Sequence, residues 1–139
     1  MFERCLYFNL NALSRQLNRR WEEAFAPFAL TPSHAYVLRA VLAEPGRTQQ
    51  ALADDMRLEK STLARFLNAL EAQGMVERRP SASSARSKEV HPTKDSLSIA
   101  ESLEATGDRL YADMCAAIGK ERLDGFVTMM KTVAGSVGP

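Results

Sequence analysis

The 139-residue chain has little of what redox or metal chemistry needs. Its two cysteines, Cys5 and Cys115, lie far apart, and its two histidines, His34 and His91, have no ligand-like spacing. Two thiols make neither a disulfide framework nor a structural zinc site. Apolar runs are short and broken by charges, so none approaches the roughly 20 residues a membrane-spanning helix needs. The first residues, "MFERCLYFNLNALSRQ", lack the basic region, apolar run and small-residue cleavage site of a secretory signal. These absences predict a cytoplasmic protein with no membrane partner. Also missing are a Ser/His/Asp order, paired acids with a partner base, and a phosphate-binding glycine loop. The expectation is a protein that is not an enzyme, with no cofactor and no metal.

Net charge is also small, +1, which taken alone argues against a polyanionic partner. Its distribution argues otherwise. Residues 57–94 hold eight Lys/Arg against four Asp/Glu, and the rest holds ten against thirteen. A local basic patch on a near-neutral chain suits contact with a polyanion through one tip, although clustering of this size also arises by chance.

What is present is mostly helical patterning. Residues 3–26 place Leu6, Leu10, Leu13, Leu17, Trp21 and Phe25 at spacings of three and four, the mark of an amphipathic helix that Pro27 ends. "LTPSHAYVLRAVLAEPG" predicts a second helix, with Thr31 as N-cap, Pro32 in the first turn, and Tyr36, Val37, Ala40 and Val41 buried. Glu44-Pro45-Gly46 stops it. "RTQQALADDM" is a short third helix capped by Thr48, with Leu52, Ala53 and Met56 inward. "RLE" then turns the chain into a fourth, which buries Leu63, Phe66, Leu67 and Leu70 and ends at Gly74.

"MVERRPSASSARSKEVHP" changes character. Residues 75–79 and 87–91 read as two short strands. "PSASSAR" between them suits either a linker or a hairpin tip, and the flanking strands favour the hairpin. Thr93 caps a long helix over about residues 94–118, with Ile99, Leu103, Thr106, Leu110, Met114 and Ile118 as its stripe. After Gly119, Leu123, Phe126, Val127, Met130 and Val133 mark a last helix before the "GSVGP" tail. The long terminal helices carry more apolar surface than one small core covers. Pairing with a second copy covers it, as does packing of the two on each other within one chain. The fold class is therefore mainly α with a small β-hairpin wing: a winged helix-turn-helix with long N- and C-terminal dimerisation helices. The expected division is into residues 1–30, 31–93 and 94–139, with the hairpin in the middle segment.

The fourth helix carries the chemistry. Opposite its apolar stripe lie Ser61, Arg65, Asn68 and Ala72, small or hydrogen-bonding and without a carboxylate, with Thr62 on the flank. An α-helix fits the major groove, where arginine forks onto guanine O6 and N7 and asparagine onto adenine N6 and N7. Thr48, Gln49 and Gln50 open the bracing helix and can donate to phosphates. Arg86 at the hairpin tip and Lys88 on its exposed face reach toward an adjacent minor groove or its phosphates. With Lys60 and Arg78, these complete the candidate DNA contacts.

The stretch "LTPSHAYVLRAVLAEPGRTQQALADDMRLEKSTLARFLNALEAQGMVERRP" strongly resembles the MarR (multiple-antibiotic-resistance regulator) family. The likeness is close over residues 30–80 and extends through the wing to Thr93. The family's "STLTRLLDRLE" lands on Ser61, Thr62, Leu63, Arg65, Leu67, Leu70 and Glu71, and its "LVERRP" on Met75 to Pro80. The resemblance implies a homodimeric regulator, most often a repressor, whose terminal helices intertwine while each subunit reads half of a pseudo-palindromic operator in double-stranded DNA. It also implies release by a small aromatic or amphipathic effector held between the DNA-binding and dimerisation regions. The wing departs from the pattern. Where the family often has Asp-x-Arg at the tip, this chain keeps Arg86 but has Ser84 for the aspartate and Ala85 for a further arginine. Its second strand reads "EVHPT", and Pro92 must end the strand or lie at an edge. These departures predict a looser wing.

Two sensors are conceivable. Tyr7, Trp21, Phe25, Tyr36 and Tyr111 are candidates for an effector pocket, though aromatics at helical spacing are ordinary core. Cys5 matches the region in which the organic-hydroperoxide branch of the family keeps a reactive cysteine, with Tyr7 near and Arg4 able to support a thiolate. The simpler reading of Cys5 is a small apolar residue in a dimer interface. A rival from another class is a helical protein-interaction adaptor that does not bind DNA.

Overall fold

The computed structural model describes residues 1–84 and 86–138; Ala85, the wing departure beside Arg86, lies outside them. Among the described residues, six α-helices and one hairpin follow in the order α1 (Leu6–Phe25), α2 (Pro32–Ala43), α3 (Gln49–Met56), α4 (Lys60–Ala72), β1 (Val76–Pro80), β2 (Lys88–Pro92), α5 (Lys94–Ile118) and α6 (Lys120–Val137). The chain forms two compact units, residues 1–104 and 105–139. Among the described residues, no helix is long and apolar enough to cross a membrane.

In the first unit the caps lie where the sequence put them. Thr31 and Thr48 accept the N–H groups of His34 and Ala51, each at 3.2 Å, and close the first turns of α2 and α3. Gly74, with φ +74°, ends α4 in a left-handed turn. The Met75 N–H reaches the Leu70 carbonyl at 2.9 Å and the Gly74 N–H reaches Glu71 at 3.0 Å, the paired bonds of a Schellman stop. Thr93 opens α5 reciprocally with Ser96. The Ser96 N–H donates to Thr93 Oγ1 at 3.2 Å, and the Thr93 N–H donates to Ser96 Oγ at 2.9 Å. Thr93 Oγ1 also donates to the Gly74 carbonyl at 2.6 Å, which joins the end of α4 to the start of α5 at the base of the wing.

The core of this unit is Phe25, Leu30, Ala35, Val37, Leu38, Val41, Leu52, Ala53, Leu63, Leu67, Leu70, Val76, Val90 and Leu103, all buried. Three expectations need correction. Helix α2 buries Ala35, Val37, Leu38 and Val41, leaving Ala40 half-buried and Tyr36 exposed. The tyrosine stands at the rim because its hydroxyl finds a partner there, Trp21 Nε1 at 3.1 Å. Phe66 is half-buried, its ring packed edge-on against His34 at 5.3 Å. And α1 begins at Leu6 rather than residue 3, while at its other end a short 3₁₀ turn, Ala26–Phe28, carries Pro27.

The wing is antiparallel, with Val76 opposite Pro92, Arg78 opposite Val90 and Pro80 opposite Lys88. Val90 does not bond β1. Its N–H donates to the Arg47 carbonyl at 2.9 Å, and its carbonyl accepts from Gly46 at 2.8 Å. The loop between α2 and α3 thus pairs with the outer side of β2, and Thr48 bridges Glu89. Pro92 shares Val90's parity, so its missing donor faces away from β1. Pro80 holds the matching position in β1, so neither proline breaks the ladder. Gly46, with φ +88°, makes the close approach possible: a Cβ there would lie 3.3 Å from the His91 ring.

In the second unit, α6 runs through Gly135 and Ser136 to Val137, further than the sequence suggested. None of its described residues is buried.

Candidate nucleic-acid interface

Helix α4 is held from behind by its leucines, so its outer face is free. Ser61, Arg65, Asn68 and Ala72 are exposed along it, and Thr62 is half-buried on the flank. The carboxylate of Glu71 is exposed beside this face, and β1 neutralises it. Arg78 Nη2 meets Glu71 Oε1 at 2.9 Å, with Arg78 Nε 3.4 Å from Oε2. The guanidinium holds the Glu71 carboxyl below its usual range. Arg78 Nη2 also donates to Asn68 Oδ1 at 2.6 Å. Arg78, expected among the DNA contacts, therefore lies across the last turns of α4 with both neighbours engaged.

A cleft of about 190 Å³ opens between the wing and the two helices of the turn. Thr48, Gln49 and Gln50 from α3, Lys60 and Leu63 from α4, and Arg86, Ser87 and Lys88 from the wing line it. Six of the expected contacts thus come together in one concavity. The first N–H groups of α3 have no carbonyl one turn earlier to bond, and its dipole adds partial positive charge. Lys60, Arg86 and Lys88 add whole charges. The Gln50 amide donates to Asp54 at 2.8 Å, so this side chain lies along α3. At the wing tip Ser84 Oγ accepts the Arg86 backbone N–H at 3.2 Å. Ser81 donates its N–H to the Ser87 carbonyl at 2.8 Å and extends the ladder one pair beyond Pro80.

The sequence missed Arg47, whose side chain is mostly covered. Nη2 donates to the Ala40 carbonyl at 2.8 Å and Nη1 to Asp55 at 3.1 Å, tying the end of α2 to α3. An arginine beside a turn reads as a surface charge, and only the loop's pairing with β2 turns it inward.

Of the effector candidates, Trp21, Phe25 and Tyr36 meet. Phe25 sets its ring edge-on to Tyr36 at 6.1 Å, and the Arg39 guanidinium lies 4.8 Å over the Tyr36 ring. Phe25 itself is fully buried. Tyr36 also lines an apolar pocket of about 230 Å³ with Pro32, Ser33, Val37, Met56, Leu58 and Phe66. Tyr7 is 79% exposed and one end of α1 away from Trp21, about 20 Å at the helical rise. Tyr111 lies in the second unit, where a hydrogen bond with Cys115 pushes its phenol up. Cys5 is exposed and caps α1, its Sγ accepting the Phe8 N–H at 3.5 Å.

Residues 30–87 match the model of the MarR family. The transcriptional regulator HosA of Escherichia coli O157:H7 is 28% identical over 125 residues, covering 90% of this chain and 91% of HosA. Two solved structures share the fold. MepR of S. aureus, in a DNA complex, superposes with a TM-score of 0.84 at 16% identity, covering 94% of this chain and 96% of its own. The transcriptional repressor CouR, bound to a 23-mer duplex, gives 0.81 at 24% identity, covering 92% and 91%. These relatives are regulators rather than enzymes. Over residues 30–87, which carry its winged helix-turn-helix, this chain matches the MarR family, and it is similar in sequence to a transcriptional regulator and in fold to two solved on DNA.

Proposed function

We propose that the chain is a sequence-specific DNA-binding repressor that acts as a homodimer on a pseudo-palindromic operator. In this reading α4 enters the major groove, with Ser61, Thr62, Arg65 and Asn68 at base edges. Thr48, Gln49, Gln50 and Lys60 take the flanking phosphates, and Arg86 and Lys88 take the adjacent minor groove or its backbone. The single observation that carries it is the cationic cleft beside a helix face whose neighbouring carboxylate, Glu71, is already paired. MepR and CouR, which share the fold, were solved on DNA.

Bare apolar side chains support the homodimer. Phe2, Leu6, Tyr7, Phe8 and Leu10 are exposed at the start of the first unit, and Phe126, Val127, Met129 and Met130 in the second. Residues 1–30 and 94–139 are accordingly assigned to dimerisation. The test is a binding titration with a palindromic fragment from the chain's own promoter region across a salt series. A DNA binder loses affinity steeply as salt rises. An adaptor binds no DNA even at low salt.

A second observation favours response to an effector. The pocket beside Tyr36 touches Met56 and Leu58 at the turn between α3 and α4, and Phe66 on α4. A small aromatic acid seated there bears on the elements that aim the reading face. Its addition is expected to weaken DNA binding, and a Phe66→Ala variant to respond less. Unchanged binding with a panel of phenolic acids would remove this part of the reading.

A further inference from the structure

The Arg78 contacts change what Asn68 can read. Asn68 and Glu71 are three residues apart and so share one side of α4. One guanidinium reaches both, with Nη2 2.6 Å from Asn68 Oδ1 and 2.9 Å from Glu71 Oε1. A guanidinium carries donors only. The end of the Asn68 amide that faces it must therefore be the carbonyl, because the reverse orientation sets donor against donor. Glu71 anchors the guanidinium from its other side, and Arg78 is only 21% exposed. The orientation of Asn68 is thus set from β1, outside the reading helix.

An asparagine free on a recognition helix pairs with adenine through both ends, its carbonyl accepting from N6 and its amide donating to N7. Asn68 has its carbonyl drawn toward Arg78, which leaves its NH₂ group to face outward. Guanine offers two acceptors in the major groove, N7 and O6, and thymine only O4, beside its methyl group. Adenine offers one acceptor beside a donor, and cytosine a donor. We propose that Arg78 is a positioning residue that makes Asn68 a donor-only reader, so that the base opposite Asn68 is guanine rather than adenine. This rests on the reading of α4 as the major-groove helix.

The test is selection of bound sequences from randomised half-sites by the full chain and by variants confirmed as folded by helical circular dichroism. Asn68→Ala identifies the position Asn68 reads, because preference there flattens. The wild type is expected to select guanine at that position. Arg78→Met keeps the apolar stem over α4 but frees the carbonyl, and is expected to move the preference toward adenine by about tenfold. Glu71→Gln loosens the anchor at an exposed site, and is expected to shift the preference part of the way. It serves the same purpose if Arg78→Met does not fold. Selection of adenine by the wild type overturns the inference. So does a preference that neither Arg78→Met nor Glu71→Gln moves, or one that Asn68→Ala leaves intact at every position. In each of these cases DNA is still bound. Failure of the wild type to bind any duplex is a different result, and takes down the proposed function with the inference.

Discussion

Helices α4 and α6 carry the same kind of apolar stripe and meet different fates. Leu63, Leu67 and Leu70 of α4 are buried to 1% exposure or less, whereas Phe126 and Met130 of α6 are 45% and 40% exposed. Their polar sides differ as well. The outer face of α4 has the neighbouring Glu71 carboxylate cancelled by Arg78, while α6 begins with an ordinary solvated pair, Lys120 and Asp124 at 2.9 Å. Periodicity reports that a stripe is apolar but not what covers it. For α4 the cover is in the same unit; for α6 the proposed cover is a second copy. On the polar side, the pairing of Glu71 with Arg78 beside Ser61, Arg65 and Asn68 distinguishes a face suited to a polyanion from one built for water.

The sharpest way to break the contrast is to truncate each stripe. Leu67→Ala removes a fully buried side chain and is expected to cost about 2–5 kcal/mol in urea unfolding. The pair Phe126→Ser and Met130→Ser removes none. It is expected to leave helical content in place and raise the dimer dissociation constant by at least about tenfold in sedimentation. An unchanged mass distribution would show that α6 is not the dimer face.

The polar faces give smaller effects. Arg65→Ala is expected to cost about 1–3 kcal/mol on a selected site and relax preference at one base position. Arg86→Ala is expected to weaken binding to all sequences alike and make the slope of log affinity against log salt shallower by about one. If Arg65 behaves like Arg86, α4 contacts only phosphates.

The smallest effect is a control on the scaffold. Arg39 pairs with Glu104 at 2.8 Å and holds that carboxyl below its usual range. A lowered carboxyl stabilises the fold above its unfolded pKa, and the contribution is lost as pH falls through the lowered value. Because Glu104 is largely exposed, Glu104→Gln is expected to lose less than about 1 kcal/mol near neutral pH. The variant and wild type should converge under acid conditions below that lowered value, as read by thermal unfolding across pH.

Local features were legible in the sequence. Thr31, Thr48 and Thr93 cap helices as expected, Gly74 stops α4, and the hairpin forms around "PSASSAR". These depend on neighbours a few residues away. Features set by distant pairing were not legible. Tyr36 was placed inside because its spacing fits a buried stripe, yet its hydroxyl is drawn to Trp21 on another helix. The third strand-like segment at Gly46–Thr48 has no strand pattern of its own, and exists through its bonds to Val90 and Glu89. Nothing in α4 indicates that Arg78, ten residues on, meets the Asn68 carbonyl. The cleft itself joins residues from α3, α4 and the wing, whose composition showed only a basic segment.

The most direct test of the central claim is the salt dependence of binding between the full chain and a palindromic fragment from its own promoter region. Fluorescence anisotropy of the labelled duplex reads it. If α4 and the cleft engage DNA as proposed, affinity falls linearly on a double-logarithmic plot, and a scrambled fragment binds more weakly at every salt concentration. Equal binding of both fragments, or none at the lowest salt, would contradict the account.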